Sequence, residues 1–213
     1  MDDLRRFQHP RFARLYEQLG AEADARGATG HRKRLLAGLS GQVVEVGAGN
    51  GLNFPHYPPE VGLVLAVEPD QALRGRATRA ASRAPVLIAV RAGHAEALPV
   101  ASGSADAVVA SLVLCSVPDQ AHALAEMRRV LKPGGELRFY EHVRARQWWR
   151  GAIEDLVTPL WSRLGGGCHP NRRTTDAITA AGFEITELDQ FPFKVSSQVP
   201  PTPHVLGRAR APR

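Results

Sequence analysis

The sequence predicts a doubly wound α/β domain, and three observations carry that expectation. From residue 41 onward, short β-branched runs alternate with helical segments of about 10–15 residues, the pattern of a parallel sheet with helices on both faces. The first of those runs, Val43-Val44-Glu45-Val46, leads straight into Gly47-Ala48-Gly49-Asn50-Gly51, a glycine-rich turn of the kind that follows the first strand of such folds. The chain has 213 residues, which suits one domain with a sizeable core.

Taken in order, residues 1–40 read as a polar helical cover. Leu4, Phe7, Phe12, Leu15, Tyr16 and Leu19 can form one apolar face, broken at His9-Pro10. Residues 27–30 read as a loop and 31–39 as a second short helix. The glycine-rich turn should open into a helix. A second strand follows at 63–68 and a helix from about 70 to 83. A third strand spans 86–91, and a fourth spans 107–111 and continues towards Leu114. Asp119 can cap a helix to Leu131, which Lys132-Pro133-Gly134-Gly135 ends before a fifth strand at 136–143. Residues 146–164 hold all three Trp. Trp148, Trp149, Ile153, Leu156, Leu160 and Trp161 recur at helical spacing, which favours a buried face, and Thr158-Pro159 should kink the helix. A short helix at 174–181 stops at Gly182. Strands at 183–188 and 205–209 follow, joined by a Pro-rich loop over 191–203. No internal repeat interrupts this order.

Composition excludes several classes. Two cysteines, Cys115 and Cys168, cannot make a disulfide framework, and their spacing rules out a CxxC pair or a Cys-rich zinc site. The longest strongly apolar stretch, 107–118, is about half of a membrane span, and the N-terminus has no signal-like apolar core. The expectation is a soluble, cytoplasmic protein. The net charge of +6 rests on 24 Arg against 3 Lys. Five Arg between 74 and 91 invite a nucleic-acid reading, but they lack interleaved aromatics, so nucleic acid is disfavoured as a partner.

Chemistry concentrates around the glycine-rich turn. Small residues there let a ligand approach the backbone. The spacing is G-x-G-x-G. Leu52 stands where a dinucleotide fingerprint needs its third glycine, which disfavours a nicotinamide oxidoreductase. Glu68 ends the second strand, where an acid can accept both hydrogen bonds of a ribose diol, and Asp70 is a second acceptor or a helix cap. Farther on come Gly93-His94-Ala95-Glu96-Ala97-Leu98-Pro99, then Asp106-Ala107-Val108-Val109, and Arg128-Arg129-Val130-Leu131-Lys132-Pro133-Gly134-Gly135.

These motifs, in this order, resemble the class I S-adenosylmethionine-dependent methyltransferases over about residues 40–145. Gly51-Leu52-Asn53-Phe54 with Tyr57-Pro58, the run 112–117, Glu141-His142-Val143 and Gly167-Cys168 resemble more narrowly the methyltransferase-like 7 branch, linked to alkyl thiol methylation. The resemblance implies a Rossmann-like seven-stranded sheet with an antiparallel last pair. It implies one methyltransferase domain over 1–213, with a helical cover at 1–40, a cofactor core at 41–145, a Trp-rich lid insertion at 146–170 and a C-terminal helix and strands at 171–213. It also implies S-adenosylmethionine as cofactor. Gly47 and Gly49 would let its methionine half lie on the first loop, Gly51 is a further cofactor-binding position, and Glu45 would orient the ammonium group. Glu68 would hold the ribose, and His94 and Ala95 would flank the adenine. Ser111 would sit near the methionine tail, Asn53 is a further contact, and Tyr16 covers the cofactor from above. His94 departs from the family, many members of which carry Asp there.

The reaction so implied moves a methyl group to a small, apolar acceptor, with a thiol favoured. A thiol of pKa about 8.5 benefits from a base, and His142 and then His169 are the candidates. Glu141 orients His142 or the acceptor, or is a surface charge. Cys115 reads as a cavity-lining residue, not a nucleophile, and no metal site is expected. The Trp-rich segment is a lid over an apolar acceptor pocket or a core helix. Membrane contact is left open but disfavoured, because Arg150, Glu154, Asp155 and Arg163 sum to zero. The oligomeric state stays open. A lipid or quinone-type methyltransferase and a cofactor-binding protein without catalysis are the alternatives. A nucleic-acid methyltransferase lacks its Asn-Pro-Pro-aromatic or Asp-Pro-Pro-aromatic signature.

Overall fold

A computed structural model describes residues 4–8 and 10–212; of residues 10–15 and 164 only the backbone is described. His9 and the side chains of Phe12 and Leu15, expected on the first apolar face, therefore lie outside the described residues. A 3-10 turn, Leu4–Phe7, precedes α1 (Pro10–Ala25) and α2 (Ala28–Leu36). Pro10 is the first residue of α1, where its missing N–H costs nothing. Residues 27–30 are not a loop. Only Arg26-Gly27 turns, with Gly27 at φ 111°, and α2 starts at once.

The sheet follows as β1 (Gly41–Val46), β2 (Val61–Val67), α3 (Gln71–Ala81), β3 (Ile88–Arg91), β4 (Ala105–Ser111), α4 (Gln120–Val130), β5 (Leu131–His142), α5 (Trp148–Leu164), α6 (Thr174–Ala180), β6 (Glu184–Phe193) and β7 (Thr202–Arg210). Seven strands pair in the order β3-β2-β1-β4-β5-β7-β6. β1 to β5 are mutually parallel, and β7 runs antiparallel to both of its neighbours. Asp70 and Asp119 each cap the following helix, accepting from the second and third backbone N–H groups beyond.

Side-chain alternation divides the core between two faces. Val44, Val46, Val108, Leu137 and Phe139 meet Leu124 and Met127 of α4 and Ile178 of α6. Val43, Val64, Ala107 and Tyr140 meet Leu35 and Leu36 of α2 and Ala77 of α3 on the other face. Each large apolar side chain buried this way contributes about 1.5–3 kcal/mol.

Four expectations need correction. No α-helix follows the glycine-rich turn: β1 and β2 are joined through a 3-10 turn at Phe54–His56. Pro55, Pro58 and Pro59 withdraw the N–H donors that a helix there would need. The fourth strand stops at Ser111 and does not continue towards Leu114, because Leu112 takes φ 59°. The Pro-rich loop is shorter than 191–203, since β6 runs to Phe193 and β7 begins at Thr202. β6 is an edge strand, where Pro192 removes no ladder bond that the sheet needs. Finally, the apolar stripe of α5 faces outward. Trp148, Trp149, Ile153, Leu156, Val157, Leu160 and Trp161 are all exposed, so α5 is not a core helix.

Candidate active site

Strand order reverses between β1 and β4, and the crevice beyond their carboxyl ends is where open α/β sheets bind ligands. A cavity of about 500 Å³ occupies it. Its wall takes Gly47 and Gly49 from the turn after β1, Glu68 from the end of β2, His94 and Ala95 from beyond β3, and Ser111 from the end of β4. Tyr16 of α1 closes it from above. Seven expected site residues thus converge on one space.

The first turn is shaped for close approach. Gly47 has φ 64°, and a Cβ there would lie 2.6 Å from Val113 Cγ2. A Cβ on Gly49 would lie 3.1 Å from Tyr16 Cε1, so the tyrosine ring rests directly on the turn. The Glu68 carboxylate is fixed by backbone donors: Gly49 N–H donates to Oε2 and Asp70 N–H to Oε1, both at 2.8 Å. Each oxygen keeps a second acceptor position. Burial raises the Glu68 pKa to about 7 despite those two bonds.

Three expected cofactor residues lie outside the cavity wall. Glu45 is buried behind the turn, accepting from Asn53 Nδ2 at 2.9 Å and from the Tyr57 hydroxyl at 2.7 Å. Desolvation raises its pKa to about 7. Asn53 serves that buried network. Gly51 faces the protein: a Cβ there would lie 2.8 Å from Phe54 Cδ2 and 2.9 Å from Ala80 Cβ, so its small size serves packing.

The sequence reading missed how the residues before α1 close the site. Phe7 stacks on His94 with centroids 5.0 Å apart. Gln8 Nε2 donates to Pro69 O at 2.9 Å, while Gln8 Oε1 accepts from Gln71 N–H at 2.9 Å. Arg6 pairs with Glu96 at 2.9 Å. In the sequence Phe7 shows only as one member of an apolar face.

The far end of the cavity is built by the turn after β4. Glu141 is not a surface charge. It is fully buried, and its carboxylate accepts N–H bonds from Val113 (3.0 Å), Leu114 (2.9 Å) and Cys115 (3.1 Å). Burial pushes its carboxyl upward, and the three N–H groups pull it back. Leu112 N–H donates to Tyr140 O at 2.7 Å, which fixes a left-handed leucine that costs about 1–2 kcal/mol. Leu112, Val113, Val117, Pro118 and Gly167 give this end an uncharged wall.

Neither candidate base lies on the cavity wall. His142 is buried, stacks on His204 at 5.2 Å and has Nδ1 3.7 Å from Cys168 Sγ. Burial lowers its pKa to about 4, so it is neutral near pH 7. His169 follows the wall residue Gly167, and its Nδ1 lies 2.6 Å from Gly167 O. A carbonyl only accepts, so Nδ1 carries a proton, and in the neutral tautomer this selects Nε2 is the nitrogen with the lone pair. Cys115 is buried and does not line the cavity. Among the described residues, no three His, Cys, Asp or Glu are grouped to hold a metal.

Comparison with known proteins agrees with this geometry. Residues 44–139 match a methyltransferase domain family. Thiol S-methyltransferase TMT1B of Rattus norvegicus is 36% identical over 182 residues, covering 82% of this chain and 73% of that protein. Thiol S-methyltransferase TMT1A of Homo sapiens is 35% identical over 181 residues, with the same two coverages. The crystal structure of an S-adenosylmethionine-dependent methyltransferase of Thermotoga maritima superposes with a TM-score of 0.69 at 22% identity, over 94% of this chain and 96% of that one. Sheet order, cavity and sequence together make the chain a member of the S-adenosylmethionine-dependent methyltransferase family, in the branch that contains the thiol S-methyltransferases.

Proposed function

We propose that this methyltransferase acts on a small apolar thiol. The observation that carries the reading is the extent of likeness to the named thiol S-methyltransferases. It runs over 182 residues, well beyond the stretch 44–139 of the common domain, and so takes in segments that build the acceptor end. The uncharged wall of that end supports an apolar acceptor.

S-adenosylmethionine supplies a methyl group already activated on a sulfonium sulfur. The chain's residues suit such a cationic, donor-bearing molecule. Gly47 and Gly49 leave room where a Cβ would intrude. The spare acceptor positions of Glu68, on the cavity wall, suit a ribose diol. In this reading Glu45 acts through Asn53 and Tyr57, setting the turn from behind. His94 and Ala95 flank the adenine, with Phe7 extending the stack. Ser111 and Tyr16 bound the methionine tail, and Gly51 acts through packing alone.

Alignment and exclusion of water then supply most of the rate. The acceptor sulfur must shed its proton, and His169 Nε2 is the better placed acceptor of it. The His142 imidazolium is costly in its buried position, so His142 serves to position Cys168. Cys115 and Cys168 stand as neighbouring free thiols, which supports a reducing, cytoplasmic location.

The test is formation of S-adenosylhomocysteine with a panel of small alkyl and aryl thiols, beside a quinol and a phospholipid. The reading expects turnover on apolar thiols, and a loss of about 100-fold in kcat for His169→Gln with binding of S-adenosylhomocysteine retained. Turnover confined to the quinol or the phospholipid overturns the thiol assignment. Binding without turnover on any acceptor favours a non-catalytic role.

A further inference from the structure

The apolar stripe of α5 is the largest feature that methyl transfer does not use. Trp148 is 83% exposed, Leu156 82% and Leu160 64%. Trp149, Ile153, Leu156 and Leu160 fall on one helical face, with tryptophans near both ends of the helix. A soluble chain rarely leaves so much contiguous apolar surface uncovered.

The charges beside the stripe do not cancel once their partners are known. Asp155 is held by Arg144 in a two-pronged ion pair, at 2.5 and 2.8 Å, and by Asn171 at 2.9 Å. Glu154 accepts the backbone N–H of Ala145 at 2.9 Å. Asp155 is thus neutralised by its partner, whereas the backbone N–H on Glu154 offsets no charge. Arg146 and Arg163 are exposed and have no acidic partner among the described residues. Arg150 donates to Pro201 O and lies 5.9 Å over the Trp149 ring, so its charge is also uncompensated. What α5 offers outward is an apolar stripe whose margin carries the three guanidinium groups of Arg146, Arg150 and Arg163 against the one carboxylate of Glu154, a net positive balance.

We propose that α5 docks the enzyme on an anionic lipid surface, lying in the plane of the interface. At 17 residues the helix is about 25 Å long, and no described helix is long and apolar enough to cross a membrane. Tryptophans at the ends, aliphatics between them and arginines at the margin match the polarity gradient of a headgroup layer. A second copy of the chain fits less well, because pairing α5 with itself would bring its arginines together. The helix runs through Gly165 into Gly166 and Gly167 on the cavity wall. Docking there sets the acceptor end beside the hydrocarbon boundary, where apolar molecules partition, whichever atom is methylated.

The test is co-sedimentation of the full chain with vesicles of phosphatidylcholine alone and of phosphatidylcholine mixed with phosphatidylserine. The chain should pellet with the mixed vesicles, more completely at low salt. A variant carrying Trp148→Ser, Leu156→Ser and Leu160→Ser should lose on the order of 100-fold in partitioning, while its circular dichroism and S-adenosylhomocysteine binding are unchanged. Arg146→Glu with Arg163→Glu should remove the preference for the anionic vesicles. Three results overturn the proposal: wild type left in the supernatant with both vesicles, equal pelleting of the triple serine variant, or a wild-type dimer that the serine changes dissociate while no vesicle binding is seen.

Discussion

Glu141→Gln removes one acceptor from the buried carboxylate that holds the turn after β4. Oε1 takes the N–H groups of Val113 and Leu114, and Oε2 takes that of Cys115. A glutamine can place its carbonyl on the first pair, but its NH2 then faces the Cys115 N–H, donor against donor. Cys115 N–H is buried, so the lost bond costs about 1–3 kcal/mol. For a chain of this size that lowers Tm by about 2–12 °C. Leu112 and Val113 follow the turn, and both line the cavity, so S-adenosylhomocysteine should bind about tenfold more weakly. Thermal unfolding by circular dichroism and calorimetric titration read the two effects. A Tm within about 1 °C of wild type, with unchanged affinity, would refute the claim that Glu141 organises this end of the site.

Two further predictions concern the cofactor end. Gly47→Ala should cost about 1–2 kcal/mol through its left-handed φ alone. It also pushes Val113 off the turn, so affinity should fall more than stability, and equal affinity to wild type would count against the close-approach argument. The buried acids give a pH dependence. Glu45 and Glu68 are both raised from 4.5 to about 7. Between those values the unfolded chain has released protons that the folded chain retains, so these groups lower the stability of the ligand-free enzyme as pH rises from about 4.5 to about 7. A cationic ligand favours their ionised forms. S-adenosylmethionine should therefore bind more tightly from about pH 6 to about pH 8 with release of protons, measured by calorimetry in buffers of different ionisation enthalpy. Flat affinity with no proton release would remove Glu45 and Glu68 from the binding step.

Much of the cofactor half was legible because its signals are local. A β-branched run must end in something that turns, and Gly47 to Gly51 can do nothing else. Glu68 and Asp70 could be placed because strand ends and helix caps have distinct chemistry, and Asp70 proved to be a cap. The roles of Glu141 and Gly51 were not legible, because each depends on what another element brings across the sheet or onto the turn. Gly51 looks like a ligand-contact glycine until Ala80 of α3 is seen beside it. The α5 stripe misled for a related reason. Periodicity shows that one face is apolar, but whether it faces the core or the solvent depends on which polar residues tether the helix. Here Glu154 and Asp155 tether it through the Ala145 N–H and Arg144, and only the Asp155 charge is cancelled by its partner, so the margin is net positive.

In the proposed function the cavity beneath Tyr16, with Glu68 on its wall, seats the methyl donor. Calorimetric titration of the folded chain with S-adenosylhomocysteine, beside Glu68→Ala, tests it most directly. Wild type should bind saturably and the variant should lose about tenfold to 100-fold, equivalent to the roughly 1.5–3 kcal/mol of hydrogen bonds to a charged group. Undiminished binding by Glu68→Ala, or no binding by folded wild type, would contradict it.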